Sequence, residues 1–281
     1  MKPALSRLLL IICKESILMQ IISSKENRII KEAASLFEKK YRDELGLFLL
    51  EGPNIVKEAM EEGGRVRFIF TLAGSSSEEV QEIAALAEEK NLAVYELSSE
   101  AFAKVTQTNS PQDIVAVMEK RQMTEDEFFK LVQNGNVVVL DRLQDPGNVG
   151  TIIRTAEALG FKGLAVIKGT ADVYQPKVVR AAAGSMLRFP IIFFEDEDAL
   201  TAVFKNHGKK LYTTAMQAKS VYDADIKENS CIVIGNEGNG VSKKLLENSE
   251  TLSIPMEGKT ESLNAAISAS IIMYESLRQR R

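Results

Sequence analysis

Asp145-Pro146-Gly147-Asn148-Val149-Gly150-Thr151-Ile152-Ile153-Arg154-Thr155-Ala156-Glu157, preceded by the apolar run Val137-Val138-Val139-Leu140, decides the fold class. The run reads as a strand covered on both faces. Asp-Pro-Gly-Asn is a strong turn sequence, with Asn148 as the candidate N-cap of a helix over Val149 to Leu159 that Gly160 ends. A buried strand, a turn and a helix make one half of a parallel α/β unit.

The pattern repeats outward from this point. Further apolar runs fall at Leu164 to Ile167, Ile191 to Phe194, Lys210 to Thr213, Cys231 to Ile234 and Leu252 to Ile254. Between them the spacing predicts helices over Pro176 to Leu187, Ala199 to Asn206, Ser242 to Glu247 and Ser262 to Arg278. The expectation is a mostly parallel sheet with helices on both sides, over residues 136–281. Upstream, residues 19–120 form a smaller α/β domain. Its predicted helices are Lys25 to Lys40, capped by Ser24, Asn54 to Met60 after Pro53, and Ser77 to Lys90. Its predicted strands are Leu47 to Leu50, Val66 to Leu72, Leu92 to Leu97 and Ile114 to Met118. Residues 121–135 are charged and helix-prone, carry no core pattern of their own, and read as a linker.

Residues 1–18 are read as an N-terminal extension, disordered and upstream of a natural start at Met19, in preference to a genuine helix. The apolar stretch Leu8 to Ile12 is cut short by Cys13, Lys14 and Glu15. A secretory h-region needs about 7–15 residues and a membrane span about 20. No membrane association is therefore expected, and without a disulfide framework a reducing cytoplasm is the default.

Three segments carry chemistry. In the first, Arg154 and Glu157 stand three apart on one helical face. They read either as a surface ion pair or, with Asn148, as groups converging at a strand's C-terminal edge, where open α/β sheets place ligands. The second, Gly235-Asn236-Glu237-Gly238-Asn239-Gly240, lies between strand and helix. Its glycines follow G-x-x-G-x-G, which is not the dinucleotide order. Glu237 is the telling residue, because a turn needs no carboxylate. The third runs from Ile254-Pro255-Met256 to Ser262-Leu263-Asn264, where Ser262 opens the last helix either as a plain cap or as a functional hydroxyl. On that helix Leu263, Ile267, Ile271 and Tyr274 make an apolar stripe.

Composition limits the choices. With 45% hydrophobic and 26% charged residues the chain is globular, and a net charge of −4 argues against a wholesale electrostatic binder of nucleic acid. Two cysteines without a spacing pattern and a single His offer neither a disulfide framework nor a four-ligand zinc site. His207, in a loop-like stretch, reads as an ordinary surface residue.

Taken in order, the three segments resemble the motifs of the SpoU/TrmH family of RNA ribose 2′-O-methyltransferases, within the SPOUT superfamily, over residues 136–278. Ile22-Ser23-Ser24-Lys25-Glu26-Asn27-Arg28 and Phe48-Leu49-Leu50-Glu51-Gly52 are similar to the substrate-binding domain that precedes it in many members. One departure is Asp113, where the family usually has Gly. The resemblance implies an L30e-like N-terminal domain, and a catalytic α/β domain closed by a deep trefoil knot. It also implies a homodimer whose active site includes residues of both subunits. S-adenosylmethionine is the implied methyl donor, held in the knot by Gly235, Ile254 and Leu263 largely through backbone groups, with no metal required. The implied catalytic set is Asn148, Arg154, Glu237, Ser262 and Asn264.

The implied reaction is methyl transfer to a ribose 2′-hydroxyl of RNA, most readily 23S rRNA. A tRNA substrate is the near alternative, and a catalytically silent RNA-binding or ribosome-assembly protein the distant one. Local basic patches would contact the RNA: Lys25, Arg28 and Lys31; Lys39, Lys40 and Arg42; Arg278, Arg280 and Arg281.

Overall fold

The computed structural model describes residues 20–108, 110–260 and 262–281. The expected extension at residues 1–18 lies outside the described residues. Two compact units emerge. The first ends at Lys120 and takes in Tyr174–Pro176; the second comprises Arg121–Val173 and Lys177–Arg281.

The first unit contains β1 (Gln20–Ile22), α1 (Arg28–Ser35), α2 (Lys39–Leu45), β2 (Leu47–Glu51), α3 (Pro53–Glu61), β3 (Val66–Leu72), α4 (Glu78–Glu89), β4 (Ala93–Leu97), α5 (Ser99–Phe102) and β5 (Ile114–Glu119). Its sheet has the order β1-β4-β3-β5-β2, with β5 antiparallel to both neighbours and the other pairs parallel. The core gathers Ile30, Leu36, Leu49, Phe70, Leu97 and Val115. The single helix expected over Lys25 to Lys40 is two. Asn27, not Ser24, caps α1 by accepting from the Ile29 N–H. The chain then tightens through short-range bonds at Leu36, Phe37 and Glu38, which turn Leu36 into the core. Asp113 keeps an ordinary negative φ and accepts the Ser75 hydroxyl at 2.7 Å, so its side chain ties two loops together.

The second unit opens with α6 (Glu125–Val132), inside the segment expected as a linker. Phe128, Phe129 and Val132 are buried in the same core as Val137, Val139, Ile192 and Phe204. The charged residues that hid this are the helix start: Thr124 and Glu127 form a reciprocal capping box. The unit continues with β6 (Val137–Asp141), α7 (Pro146–Ala158), β7 (Gly163–Ile167), α8 (Pro176–Ala182), α9 (Ser185–Arg188), β8 (Ile191–Phe194), α10 (Glu197–Asn206) and β9 (Lys210–Ser220). It ends with β10 (Ser230–Gly235), α11 (Lys243–Glu247), β11 (Glu250–Ser253) and α12 (Ala265–Gln279). The described strands form one parallel sheet in the order β11-β9-β10-β6-β7-β8.

Two boundaries moved for definite reasons. The helix expected over Pro176 to Leu187 breaks at Ala183, which has a left-handed φ of 50°. β9 runs to Ser220 because β11 pairs with both its ends across a register shift, which the polar residues after Thr213 did not announce.

β6 and β10 are neighbours, and the register sets Gly235 opposite Asp141. The chain runs from β6 through β7 to β8 on one side, and places β9 and β10 on the other. The C-terminal ends of β6 and β10 thus flank the switch point where such sheets open a crevice. Gly150 is needed nearby, since a Cβ on it would stand 2.5 Å from that of Ala181 and 2.8 Å from the Val178 carbonyl oxygen. α7 and α8 approach too closely for a side chain.

After β11 at the sheet's edge, α12 returns to pack on α7 and β10. A buried polar knot locks it there. The Asn136 amide donates to the Ile226 and Lys227 carbonyls and the Ser276 hydroxyl at 3.0, 2.9 and 2.8 Å, and its oxygen accepts the Ser230 N–H at 2.9 Å. Asn136, Ser230 and Ser276 are fully buried. Removing the amide strands the buried Ser230 N–H and takes a donor from the Lys227 carbonyl, while the Ile226 carbonyl keeps the Ser276 hydroxyl. Asn136→Ala should therefore lower stability by about 2–4 kcal/mol in denaturant titration. A loss below about 0.5 kcal/mol, the usual size at uninvolved surface positions, would show that the lock contributes little.

Candidate active site

α7 begins earlier than the sequence reading placed it. Asp145 is its N-cap, accepting the Asn148 N–H at 2.8 Å, and Pro146 is the first helical residue. Asn148 is therefore inside the first turn, and its side chain is released from capping. The same correction applies to α12. Asn264, not Ser262, caps it, with its oxygen accepting the Ala266 and Ile267 N–H groups at 2.9 and 3.3 Å. Ser262 lies upstream of the helix and is exposed, so its role as a plain cap is excluded.

These corrections create a directional chain of hydrogen bonds. The Glu237 carboxylate accepts the Gln144 and Asp145 N–H groups, each at 3.0 Å, and the Asn148 amide at 3.1 Å. The Asn148 oxygen then accepts the Asn264 amide at 3.0 Å. A carboxylate only accepts, so Asn148 must turn its NH₂ to Glu237 and its oxygen to Asn264. Asn264 in turn must face its oxygen to the helix N–H groups. Residues 89 and 116 positions apart thus fix each other's orientation.

Burial alone would raise the Glu237 carboxyl, but the Gln144, Asp145 and Asn148 donors outweigh it and hold the group below the ordinary carboxylate range. A carboxylate lowered in the fold contributes stability above its unfolded value, near 4.3, and loses that contribution as pH falls through the folded value. Glu237→Gln should thus be less stable than wild type at neutral pH. The gap should narrow as pH falls below about 4.3. Parallel pH–stability profiles would contradict this account of the carboxylate.

Beside the chain lies a cavity of about 680 Å³, lined by Gly235 to Gly240, Thr214, Leu252, Ile254, Met256, and Ser262 to Ala265. It joins apolar surface from Leu252, Ile254 and Leu263 to the backbone of the β10–α11 loop. Gly235 is essential to its shape. A Cβ there would stand 2.3 Å from the Val241 nitrogen and 2.4 Å from the Gly240 carbonyl carbon. All three residues expected to hold the cofactor, Gly235, Ile254 and Leu263, line this cavity, as do Glu237, Ser262 and Asn264.

Arg154 does not join them. It is exposed on α7 and, among the described residues, forms no hydrogen bond or ion pair within the chain. It lies six positions along the helix from Asn148, about 120° around the axis and about 9 Å along it. Nor does it pair with Glu157, which is taken by the Arg188 guanidinium at 2.6 and 3.1 Å and the Ser185 hydroxyl at 2.7 Å.

Two of the expected basic patches are partly consumed by the fold. Arg42 is buried and donates to the Leu36 carbonyl. Arg278 pairs with Glu275, and Arg280 donates to the Leu159 carbonyl. Lys31 and Lys39 are engaged at the surface by Glu26 and Asp43. His207 remains exposed, stacked on Phe129 with ring centroids 3.7 Å apart. Cys231 is buried, and burial raises its thiol pKa well beyond the ordinary range, which keeps it unreactive. Sequence reading missed Gln144 and Asn236; only Asn236, inside the glycine-rich segment, carried a signal.

A parallel sheet with a glycine-cradled cavity at its switch point, fringed by a Glu–Asn–Asn chain, defines a cofactor-binding α/β enzyme. The comparisons make this specific. Residues 135–274 match the SpoU rRNA Methylase family, and residues 27–116 match an MRM3-like substrate binding domain. The chain is 36% identical to the 23S rRNA (guanosine(2553)-2′-O)-methyltransferase RlmP of Bacillus subtilis, over 91% of this chain and 98% of that one. It is 30% identical to a 23S rRNA (uridine(2479)-2′-O)-methyltransferase of Streptomyces viridochromogenes, over 92% of each. The crystal structure of an AdoMet-bound rRNA methyltransferase from Sinorhizobium meliloti superposes with a TM-score of 0.82 at 29% identity, covering 92% of this chain and 97% of that one. The chain belongs to the SpoU rRNA methylase family and is a methyltransferase of the TrmH/SpoU type.

Proposed function

We propose that this protein transfers a methyl group from S-adenosylmethionine to a ribose 2′-hydroxyl of 23S rRNA. The observation that carries the reading is the Glu237–Asn148–Asn264 chain at the edge of the glycine-cradled cavity. The cavity fits the cofactor by its own chemistry. Leu252, Ile254 and Leu263 give an apolar wall for a base, and the exposed backbone of Gly235 to Gly240 meets polar edges. When bound, S-adenosylmethionine supplies an already activated methyl group.

The protein's task is then alignment and charge. Glu237 shapes the loop, and Asn148 and Asn264 hold the starts of α7 and α12 beside the cavity at fixed orientation. Ser262 offers a free hydroxyl to the incoming ribose or cofactor. Arg154 stabilises the developing alkoxide and grips an RNA phosphate through its fork of donors. A literal arginine base is uneconomical, because its pKa exceeds about 12.

The active unit is a homodimer. Support comes from Met256, Leu263, Ile267 and Tyr274, which expose an apolar stripe from the cavity rim along α12. Since Arg154 lies outside the cavity of its own chain, the dimer offers the route by which the partner subunit's Arg154 meets the ribose. The return of α12 from the sheet's edge to α7 and β10 supports threading as a deep trefoil knot. Among the described residues no helix is long and apolar enough to cross a membrane, and the site of action is the cytoplasm.

The substrate is favoured as rRNA because the rRNA-modifying relatives match along both units. The test is transfer of labelled methyl groups from S-adenosylmethionine to total RNA of a host lacking this gene, followed by size fractionation. Label should enter large-subunit rRNA. Label confined to tRNA would overturn the substrate, and cofactor binding without label in any RNA or ribosomal particle would favour the silent RNA-binding reading.

A further inference from the structure

The wall of the cavity hangs from two residues outside the catalytic set. Asp141 closes β6 and is fully buried. Its carboxylate accepts the Arg142 guanidinium at 2.7 and 3.1 Å and the Ser242 N–H at 2.6 Å. Burying a carboxylate this deeply is costly unless such partners meet it. Arg142 adopts a left-handed φ of 57°, a strained conformation for a non-glycine residue that surrounding contacts must enforce.

The corner so formed does structural work in three directions. The Arg142 N–H donates to the Thr170 hydroxyl at 3.0 Å. Its carbonyl accepts the Gln144 amide at 3.1 Å and the Asn236 amide at 3.0 Å. The far end of Asn236 accepts the Gly238 and Asn239 N–H groups at 3.0 and 2.9 Å. A continuous path runs from the Asp141 carboxylate through the Arg142 corner and the Asn236 side chain to the backbone that lines the cavity.

We infer that Asp141 and Arg142 are positioning residues for the methyl donor: their ion pair fixes the left-handed corner whose carbonyl suspends the Asn236–Asn239 loop in its cofactor-binding shape. This rests on reading the cavity as the S-adenosylmethionine site. Asp141→Asn preserves size and can still accept the Ser242 N–H, but it loses the charge that holds the guanidinium. Asn236→Ala cuts the same path at its outer end without burying a new charge.

The experiment is calorimetric binding of S-adenosylmethionine to full-length wild type, Asp141→Asn, Asn236→Ala and the double variant, with steady-state kinetics on rRNA. Each single change should weaken binding about tenfold, and the double change should stay near about twentyfold, short of the hundredfold product of independent sites. The KM for S-adenosylmethionine should rise while kcat at saturation stays within about twofold, a split expected when only uniform binding is lost. Should Asp141→Asn fail to fold, Arg142→Gln breaks the pair from its half-exposed side and takes its place in the cycle. Wild-type affinity in the variants, or a fully multiplicative double, overturns the inference while leaving the cofactor reading intact. Failure of wild type itself to bind S-adenosylmethionine rejects the cofactor reading, and the inference falls with it.

Discussion

Arg154→Ala should keep its cofactor and lose its chemistry. Methyl transfer is expected to fall about 10³-fold in kcat, the scale seen when one group that stabilises transition-state charge is removed. The dissociation constant for S-adenosylmethionine should stay within about twofold, since an interaction absent from the cofactor complex contributes nothing to it. The reasoning starts from position. Arg154 is exposed on α7, lies outside the cavity and forms no internal bond among the described residues, so alanine removes no packing and strands no partner. Arg154→Lys should recover only part of the rate, because an ammonium restores charge but not the planar fork. Loss of cofactor binding in Arg154→Ala would refute the assignment. In the dimeric reading, mixing Arg154→Ala with an Asn148→Ala chain should restore some activity, since one site of each hybrid dimer is then intact.

Gly235→Ala should do the reverse and strike the cofactor first. The added Cβ meets the Val241 nitrogen at 2.3 Å and the Gly240 carbonyl carbon and oxygen at 2.4 and 2.6 Å. These are backbone atoms, so no side-chain rotation can relieve the clash. The loop from Asn236 to Val241 must shift, and it is the cavity wall. Overpacking of this kind costs about 1–3 kcal/mol. Converted to affinity, this is roughly a ten- to hundredfold rise in the dissociation constant for S-adenosylmethionine. RNA binding through the first unit should be unaffected. Calorimetry showing unchanged cofactor affinity would mean that the cavity beside Gly235 is not the donor site.

Legibility varied with the range of the information. β6, β7, β8 and β10 stood out because each is a continuous apolar run between turn residues. Their order in the sheet, and the register that sets Gly235 against Asp141, are not local properties. α6 was misread because half of its eight residues are charged, although three of them, Glu125, Asp126 and Glu127, serve its cap and first turn while Phe128, Phe129 and Val132 make the core. Capping residues were displaced in a consistent way. Where several Ser, Asp or Asn residues cluster, as at Asp145 and Asn148 or Ser262 and Asn264, composition cannot choose the one whose backbone turns. The choice mattered here, because shifting the cap to Asp145 freed Asn148 for Glu237. All five catalytic candidates were named from motif order, yet the structure draws Asn148, Glu237 and Asn264 into one chain, sets Ser262 on the cavity wall and leaves Arg154 apart. That separation rests on helical geometry and supports the homodimer that the family resemblance implied.

The most direct test of the central claim is the chemical identity of the product. 23S rRNA from a host lacking this gene would be methylated by the purified protein with labelled S-adenosylmethionine, digested to nucleosides and resolved by mass spectrometry. The account predicts a single 2′-O-methylnucleoside, with the label on the ribose. Label on a base, or release of S-adenosylhomocysteine without label in the RNA, would contradict it.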